Sequence, residues 1–287
     1  MSETLFYDLV ISGRLRHETA ERLLDELSCS RVKREENRTC FLNLPVYPDA
    51  NRVREAVDAE IDVAVIPSGL SISQFRCAFF DMDSTLIENE CIDELAKLCG
   101  VVDQVAEITE SSMRGELDFE QSLRSRVKLL AGAPADIIDE AFSQIRPTAG
   151  ARETVAWLQD HGIKSYVLSG GFAQFASRIA ADYGMNDFVC NNLVIENGRL
   201  TGEVTGPAGG GILDRRGKRR AMEIIAQLNR AQLSQCIAGG DGANDLEMIE
   251  AAGFGFAYHA KPVVAQAAPR SIRFGTFAVL KDWFVED

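Results

Sequence analysis

The stretch Ala78-Phe79-Phe80-Asp81-Met82-Asp83-Ser84-Thr85-Leu86 constrains this chain more than any other. An apolar run that ends in two acids one residue apart predicts a parallel strand buried on both faces, with its C-terminal tip given over to polar chemistry. Side chains two apart on an extended chain project the same way, so Asp81 and Asp83 can look into one small volume. Carboxylates that close repel, and one pKa rises, unless a cation lies between them. Hard oxygen donors suit Mg²⁺, which needs only one or two carboxylates plus water or phosphate oxygens. Read alone, the two acids also fit turn caps, since Asp is common after strands.

Later segments repeat the pattern. Cys236 to Ala238 reads as a short strand running into Gly239-Gly240-Asp241-Gly242-Ala243-Asn244-Asp245, with a helix from Leu246 to Ala252. In a parallel sheet the two acidic tips share one edge, where ligands gather. Ile163 to Leu168 reads as another strand, followed by Ser169-Gly170-Gly171 and a helical run from Phe172 to Tyr183. Ser169 there fits a helix N-cap. The same geometry offers phosphate a hydroxyl and backbone N–H groups, with glycines that permit close approach. Asn192 to Val204 predicts a hairpin turning at Asn197-Gly198. Gly209-Gly210-Gly211 before Gly217-Lys218 invites a nucleotide-binding P-loop, but Ile212 and Arg219 stand where that motif needs Gly and Ser or Thr. Lys218 opens a helix running to Leu228, and on its own it reads as a surface lysine.

The chain divides into two units. Residues 1–73 read as strand (Thr4 to Ser12), helix (His17 to Leu27), two strands (Val32 to Glu36, Thr39 to Pro45), helix (Asp49 to Asp58) and strand (Asp62 to Ile66), a ferredoxin-like order. Pro67-Ser68-Gly69 marks the boundary, and residues 74–287 form the second unit. Within it, residues 88–146 are all helical (Glu90–Leu98, Asp103–Arg114, Phe119–Leu130, Pro134–Ile145), a lid placed above the strand tips. Leu123, Val127 and Leu130 form an apolar stripe on its third helix. Arg126 borders that stripe and is better placed than Arg124 or Lys128 to point inward, though an arginine stem can equally snorkel over apolar surface. Glu90 doubles as an ordinary first-turn acid.

The net charge of −13 argues against nucleic acid or an anionic membrane as partner. An anionic substrate therefore needs a locally positive site. Seven cysteines, odd in number and without CxxC, suggest reduced cytosolic thiols rather than a disulfide framework or zinc site. His17, His161 and His259 sit among polar neighbours and read as surface residues. No basic stretch leads into an apolar segment at the N-terminus and no apolar run approaches membrane-spanning length, so neither a signal peptide nor a transmembrane helix is expected, and the location expected is cytoplasmic.

Asp81-Met82-Asp83-Ser84-Thr85, Ser169-Gly170-Gly171, Lys218 and Gly240-Asp241-Gly242-Ala243-Asn244-Asp245 resemble, in order, the four motifs of the haloacid dehalogenase superfamily of phosphatases. Asn89-Glu90, Phe119-Glu120-Gln121-Ser122-Leu123-Arg124-Ser125-Arg126-Val127, Leu168-Ser169-Gly170-Gly171-Phe172 and Asn197-Gly198-Arg199-Leu200-Thr201-Gly202 further resemble its phosphoserine phosphatase branch. The first unit is similar to the ACT-like extension of some bacterial members. The resemblance implies an α/β doubly wound parallel-sheet core with a helical cap. It implies hydrolysis of O-phosphoserine to serine and phosphate, a step of serine biosynthesis, through an aspartyl phosphate on Asp81. Asp83 would act as acid and then base, and its backbone carbonyl would join Asp81 and Asp241 as Mg²⁺ ligands. Asn244 and Asp245 would order the surroundings of that ion. Ser169, Gly170, Gly171 and Lys218 would hold the phosphate, Glu90 the substrate ammonium and Arg126 its carboxylate, while Met113 and Phe119 would close the apolar side. Relatives acting on phosphohomoserine or phosphoethanolamine are the nearest alternative, and an amino-acid sensor with little catalysis is an alternative of another class. The partner expected is a small molecule; a homodimer is compatible with the sequence but not specified by it.

Overall fold

The computed structural model describes residues 6–57 and 60–285. The first unit runs β1 (Tyr7–Ser12), α1 (His17–Glu26), β2 (Val32–Glu35), β3 (Arg38–Leu44), α2 (Ala50–Ala56) and β4 (Asp62–Pro67). Its sheet has the order β2-β3-β1-β4 with every pairing antiparallel, the split arrangement that the β-α-β-β-α-β order predicts. Thr4, at the start of the first expected strand, and Asp58, at the end of the second expected helix, lie outside the described residues. Helix α1 buries Thr19, Ala20 and Leu23 on one face, and Asp49 caps α2 by accepting from the amides of Asn51 and Arg52 at 2.9 and 3.2 Å.

One buried acid welds this unit to the rest. Asp62, 2% exposed, accepts backbone N–H bonds from Arg273 (2.6 Å), Phe274 (3.3 Å) and Gly275 (2.7 Å). Three amide donors satisfy a buried carboxylate that would otherwise be costly to desolvate.

The second unit continues with β5 (Cys77–Phe80), then the cap helices α3 (Cys91–Cys99), α4 (Val102–Met113), α5 (Phe119–Lys128) and α6 (Ile137–Ser143). The chain returns through α7 (Ala151–Asp160), β6 (Lys164–Phe172), α8 (Ala173–Asp182), β7 (Asp187–Glu196), β8 (Arg199–Thr205), α9 (Arg215–Leu228) and β9 (Cys236–Gly240). It ends with α10 (Leu246–Ala251), β10 (Phe254–Tyr258), α11 (Pro262–Ala267), β11 (Ser271–Ile272) and α12 (Val279–Asp282). The sheet order is β11-β10-β9-β5-β6-β7-β8, parallel except for the β7–β8 hairpin. β5 has its successor in sequence on one side and β9 on the other, so its tip is the switch point where doubly wound sheets open a crevice.

Cys77, Ala78, Phe79 and Phe80 are each fully buried, Phe79 against the α9 side and Phe80 against the opposite layer. Phe80 pairs with Gly239 and with Val167, which brings Asp81 level with Gly240 and Leu168 and places Ser169 and Asp241 one step beyond. Register thus gathers the three tips.

The structure departs from the sequence reading in several places. β6 continues through Ser169-Gly170-Gly171 to Phe172, because β7 keeps pairing with it across a bulge. Ser169 is therefore not the cap of α8; Phe172 holds that position. α6 starts at Ile137 rather than Pro134, since Gly132 and Ala135 donate to the carbonyls of Leu200 and Gly198 in the hairpin (2.8 and 2.9 Å). That hairpin turns where expected, with Asn197 at φ 50° and Gly198 at φ 73°, the pair of positive values a type I′ turn requires. The segments after Ala252 carry strand and helix that the sequence reading did not assign.

Two crossing segments carry the cap. Ile87 bridges Pro147, Glu88 N–H donates to the Arg146 carbonyl at 2.9 Å, and Thr148 N–H to that of Leu86 at 3.0 Å. α5 opens with a reciprocal cap between Asp118 and Gln121 and buries Leu123 and Val127.

Candidate active site

Beyond Phe80 the backbone leaves the sheet in one wide turn over Met82–Leu86, closed by Ile87 N–H on the Met82 carbonyl at 3.1 Å, with Ser84 at φ 54°. Asp81 lies at its start, 5% exposed, and its Oδ1 accepts from Met82 N–H at 2.8 Å. Asp83 Oδ1 accepts from Cys91 N–H at 2.9 Å, tying the core acid to the first cap helix. β6 passes so near that a Cβ on Gly171 would lie 2.4 Å from Asp83 Oδ2, so any side chain here would displace that carboxylate.

Lys218 is fully buried, contrary to its surface reading. Asp214 caps α9 by accepting from Gly217 N–H at 2.8 Å, which sets the first turn so that Lys218 points down beneath Asp81. Its Nζ lies 2.9 Å from Asp81 Oδ1 and 2.6 Å from Asp245 Oδ1. Asp245 also accepts from Gly242 N–H at 3.0 Å through Oδ2. Asp241 accepts from the Thr85 hydroxyl at 3.1 Å.

The charges do not balance. Burial alone would lower the Lys218 pKa, but Asp245 and Asp81 outweigh it and hold the ammonium above its ordinary range. Asp245, its partner, is nonetheless raised to about 7, by burial and by Asp81, against the pull of Lys218. One lysine cannot neutralise the group. Asp241 rises to about 8 through burial and the charges of Asp81 and Asp245. Asp83 rises to about 8 through burial and Glu90, with the Cys91 N–H pulling the other way.

Oxygens of Asp81, Asp241 and Asp245 lie within 4.8 Å of one another. Buried, oxygen-only and in negative excess, this set fits a hard divalent cation. Asp245 is engaged by Lys218 and Gly242, which leaves Asp81 and Asp241 as the carboxylates best able to turn oxygens toward an ion.

Above this floor opens a cavity of about 640 Å³. Glu90 and Arg126 face it from the cap, and Asn244 from the core loop after β9. Glu90 accepts from the Ser84 hydroxyl at 2.7 Å. Burial lowers the Arg126 pKa, while Glu90, Asp93 and Asp83 pull it back up. Phe119 presses on Gly170, where a Cβ would lie 2.6 Å from its ring. Ser169 Oγ accepts from Gly171 N–H at 3.0 Å. Met113 lines the cavity from the rim, 66% exposed, with its sulfur accepting from Lys261 Nζ at 3.5 Å. All the residues named from sequence thus border the cavity except Lys218 and Asp245, which lie beneath it.

The sequence reading missed others. Asn191, fully buried, donates to the Gly170 carbonyl at 2.8 Å and accepts from Leu213 N–H at 2.7 Å, fixing β6 to the approach of α9. A polar residue in the middle of β7, between Cys190 and Leu193 on a buried stretch, is the signal for it. Thr85, quoted only as part of the first motif, and Asp214 and Arg215 were given no role.

A doubly wound sheet whose switch point carries four clustered acids and a buried lysine under a helical cap defines an α/β enzyme with a carboxylate centre. The family model for haloacid dehalogenase-like hydrolases matches residues 75–253, and the chain belongs to that family. Over 218 residues it is 45% identical to the phosphoserine phosphatase of Streptomyces coelicolor, covering 76% of this chain and 52% of that one. The chain thus spans about half the length of that relative. A haloacid dehalogenase family hydrolase of Salmonella enterica serovar Typhi superposes with a TM-score of 0.87 at 26% identity, covering 98% of this chain and 99% of that one. A phosphoserine phosphatase solved as a phospho-aspartyl intermediate analogue superposes with a TM-score of 0.68 at 36% identity, covering 74% and 99%.

Proposed function

We propose that the chain is a Mg²⁺-dependent phosphoserine phosphatase of the cytoplasm, hydrolysing O-phosphoserine to serine and phosphate in serine biosynthesis. The observation that carries this reading is the placement of Asp81: 2.9 Å from a buried lysine, on the floor of a cavity whose cap side offers one carboxylate, Glu90, and one guanidinium, Arg126. A zwitterionic phosphate ester matches that set, with ammonium to Glu90, carboxylate to Arg126 and phosphate to the floor.

In the first half reaction an Asp81 oxygen attacks phosphorus. The bond from phosphorus to the serine oxygen breaks, and Asp83 delivers its proton to that oxygen. Burial and Glu90 push the Asp83 carboxyl up, which favours the protonated form that a poor alkoxide leaving group demands. In the second half, Asp83 removes a proton from water as it attacks the aspartyl phosphate, and the Asp81–phosphorus bond breaks. Lys218, Ser169 and the amides of Gly170 and Gly171 hold the phosphate oxygens through both steps. Asp81, Asp241 and the Asp83 carbonyl would hold Mg²⁺, with Asn244 and Asp245 ordering its surroundings; when bound, it neutralises charge on the transferring group. A substrate panel with Mg²⁺ tests the proposal: phosphoserine should be turned over well ahead of phosphothreonine, phosphohomoserine and phosphoethanolamine, and indifference among them would refute it.

A further inference from the structure

Helix α9 begins against the preference of its own dipole. Behind the N-cap Asp214, Arg215, Arg216, Lys218, Arg219 and Arg220 crowd its first two turns, although cations there are unfavourable and the chain carries −13 overall. Lys218 is accounted for below Asp81, and Arg219 pairs with Glu223 at 3.0 Å. Arg215 is different: it lines the cavity, and its half-exposed side chain reaches Glu247 through Nε at 3.3 Å.

Among the described residues lining the cavity, the basic ones are Arg126, on the cap, and Arg215, on the core. Arg126 stands among Glu90, Asp93 and Asp83, which offset its charge. The floor carries Asp81, Asp83 and Asp241, and Asp214, beside Arg215, also lines the cavity. A phosphate dianion entering from solvent thus meets repulsion from the floor and an already engaged cation on the cap. On the core side of the mouth stands the half-exposed guanidinium of Arg215, paired through Nε with Glu247 and next to the capping Asp214, with its other nitrogens able to meet an incoming phosphate.

We propose that Arg215 is the substrate-capturing residue of this cavity: its guanidinium draws the phosphate of the incoming monoester toward Ser169 and Lys218, and Glu247 holds it at the mouth between turnovers. This rests on the reading of the cavity as a phosphomonoesterase site. Capture acts before chemistry, so it belongs in KM and in the salt dependence and not in kcat.

The test compares Arg215→Gln, Arg215→Lys and Glu247→Gln with the unmodified chain at saturating Mg²⁺, using phosphoserine and p-nitrophenyl phosphate. At low ionic strength Arg215→Gln should raise KM about threefold to tenfold for both esters, from one unit charge acting on a dianion at the cavity mouth. Its kcat should stay within about twofold, and its kcat/KM should fall less steeply with added salt. Arg215→Lys should restore most of the loss, and Glu247→Gln should lower KM. The melting temperature of Arg215→Gln should hold or rise, since a cation has left a helix N-terminus; a merely structural arginine would lower it. An unchanged KM with an unchanged salt slope overturns the proposal, as does a loss confined to kcat. So does an effect on phosphoserine alone, which would make Arg215 a reader of the carboxylate. If the unmodified chain turns over neither ester, the functional reading fails instead. Calorimetric binding of inorganic phosphate, weakened by a similar factor in Arg215→Gln, then still decides the role of Arg215.

Discussion

Replacing Lys218 by Met removes the cation buried between Asp81 and Asp245 while keeping much of the stem volume. In the intact protein its Nζ is 2.9 Å from Asp81 and 2.6 Å from Asp245, at a position with no solvent exposure. Breaking such a buried pair leaves uncompensated charge and costs about 3–5 kcal/mol. At roughly 2–4 °C per kcal/mol for a unit of this size, the melting temperature should fall by roughly 6–20 °C in chelator. Turnover should fall by at least about a hundredfold, since a donor to the transferring phosphate is lost. Lys218→Met with Asp245→Asn separates the two effects: charge balance is largely restored, so stability should recover by about half or more of the loss, while activity stays low. Differential scanning calorimetry with and without Mg²⁺ reads the stability arm, and the shift produced by Mg²⁺ should be larger in the single variant. A single variant melting within about 2 °C of the parent would refute the reasoning, as would a double variant less stable than the single.

Other predictions rest on separate groups. Asp81→Asn should leave no phosphoenzyme in an acid quench with labelled substrate, and a labelled chain would contradict its role as nucleophile. Arg126→Ala should raise KM for phosphoserine about tenfold to a hundredfold, as expected for a lost charged hydrogen bond, while an aryl phosphate changes by under about threefold; equal losses would remove the carboxylate assignment. In chelator, Asp83 and Asp241 (about 8) and Asp245 (about 7) keep protons on folding that the unfolded chain has released. Stability should therefore fall as pH rises from about 5 to about 8, and Mg²⁺ should remove much of that slope; a melting temperature that climbs with pH in chelator would count against it. Asp241→Asn should weaken Mg²⁺ binding, measured calorimetrically, more than Asp245→Asn does, because Asp245 is already engaged by Lys218 and Gly242.

Much of the fold is written in local pattern. The run from Cys77 to Phe80 reads as a doubly buried strand because nothing in it tolerates solvent, and Asn197-Gly198 reads as a hairpin turn because both residues accept positive φ. What failed is set by partners far along the chain. The strand through Ser169-Gly170-Gly171 persists only because β7 supplies ladder bonds, and glycines give no hint of that from their own propensity. α6 starts late because its first residues are held by a hairpin more than sixty residues on.

The site divides along the same physical line. Asp81, Asp83 and Asp241 were legible because strand period and parallel register oblige acids at adjacent tips to meet, whatever the intervening chain does. Lys218 looked like a surface residue because burial of a lysine depends on two carboxylates that the sequence places 137 and 27 positions away. Asn191 and Thr85 escaped for the reason that makes them useful: each satisfies a group on another element, Gly170 or Asp241, and a hydrogen bond of that kind leaves no periodic trace. Arg215 sat in plain view inside an arginine-rich stretch. Only the cavity, by turning this one of the exposed arginines inward, distinguishes it from its neighbours. Charge that opposes its own helix dipole is the sequence feature that should prompt such a search, because five cations in two turns outnumber the nearby acids, Asp214, Glu223 and Glu247, that offset them.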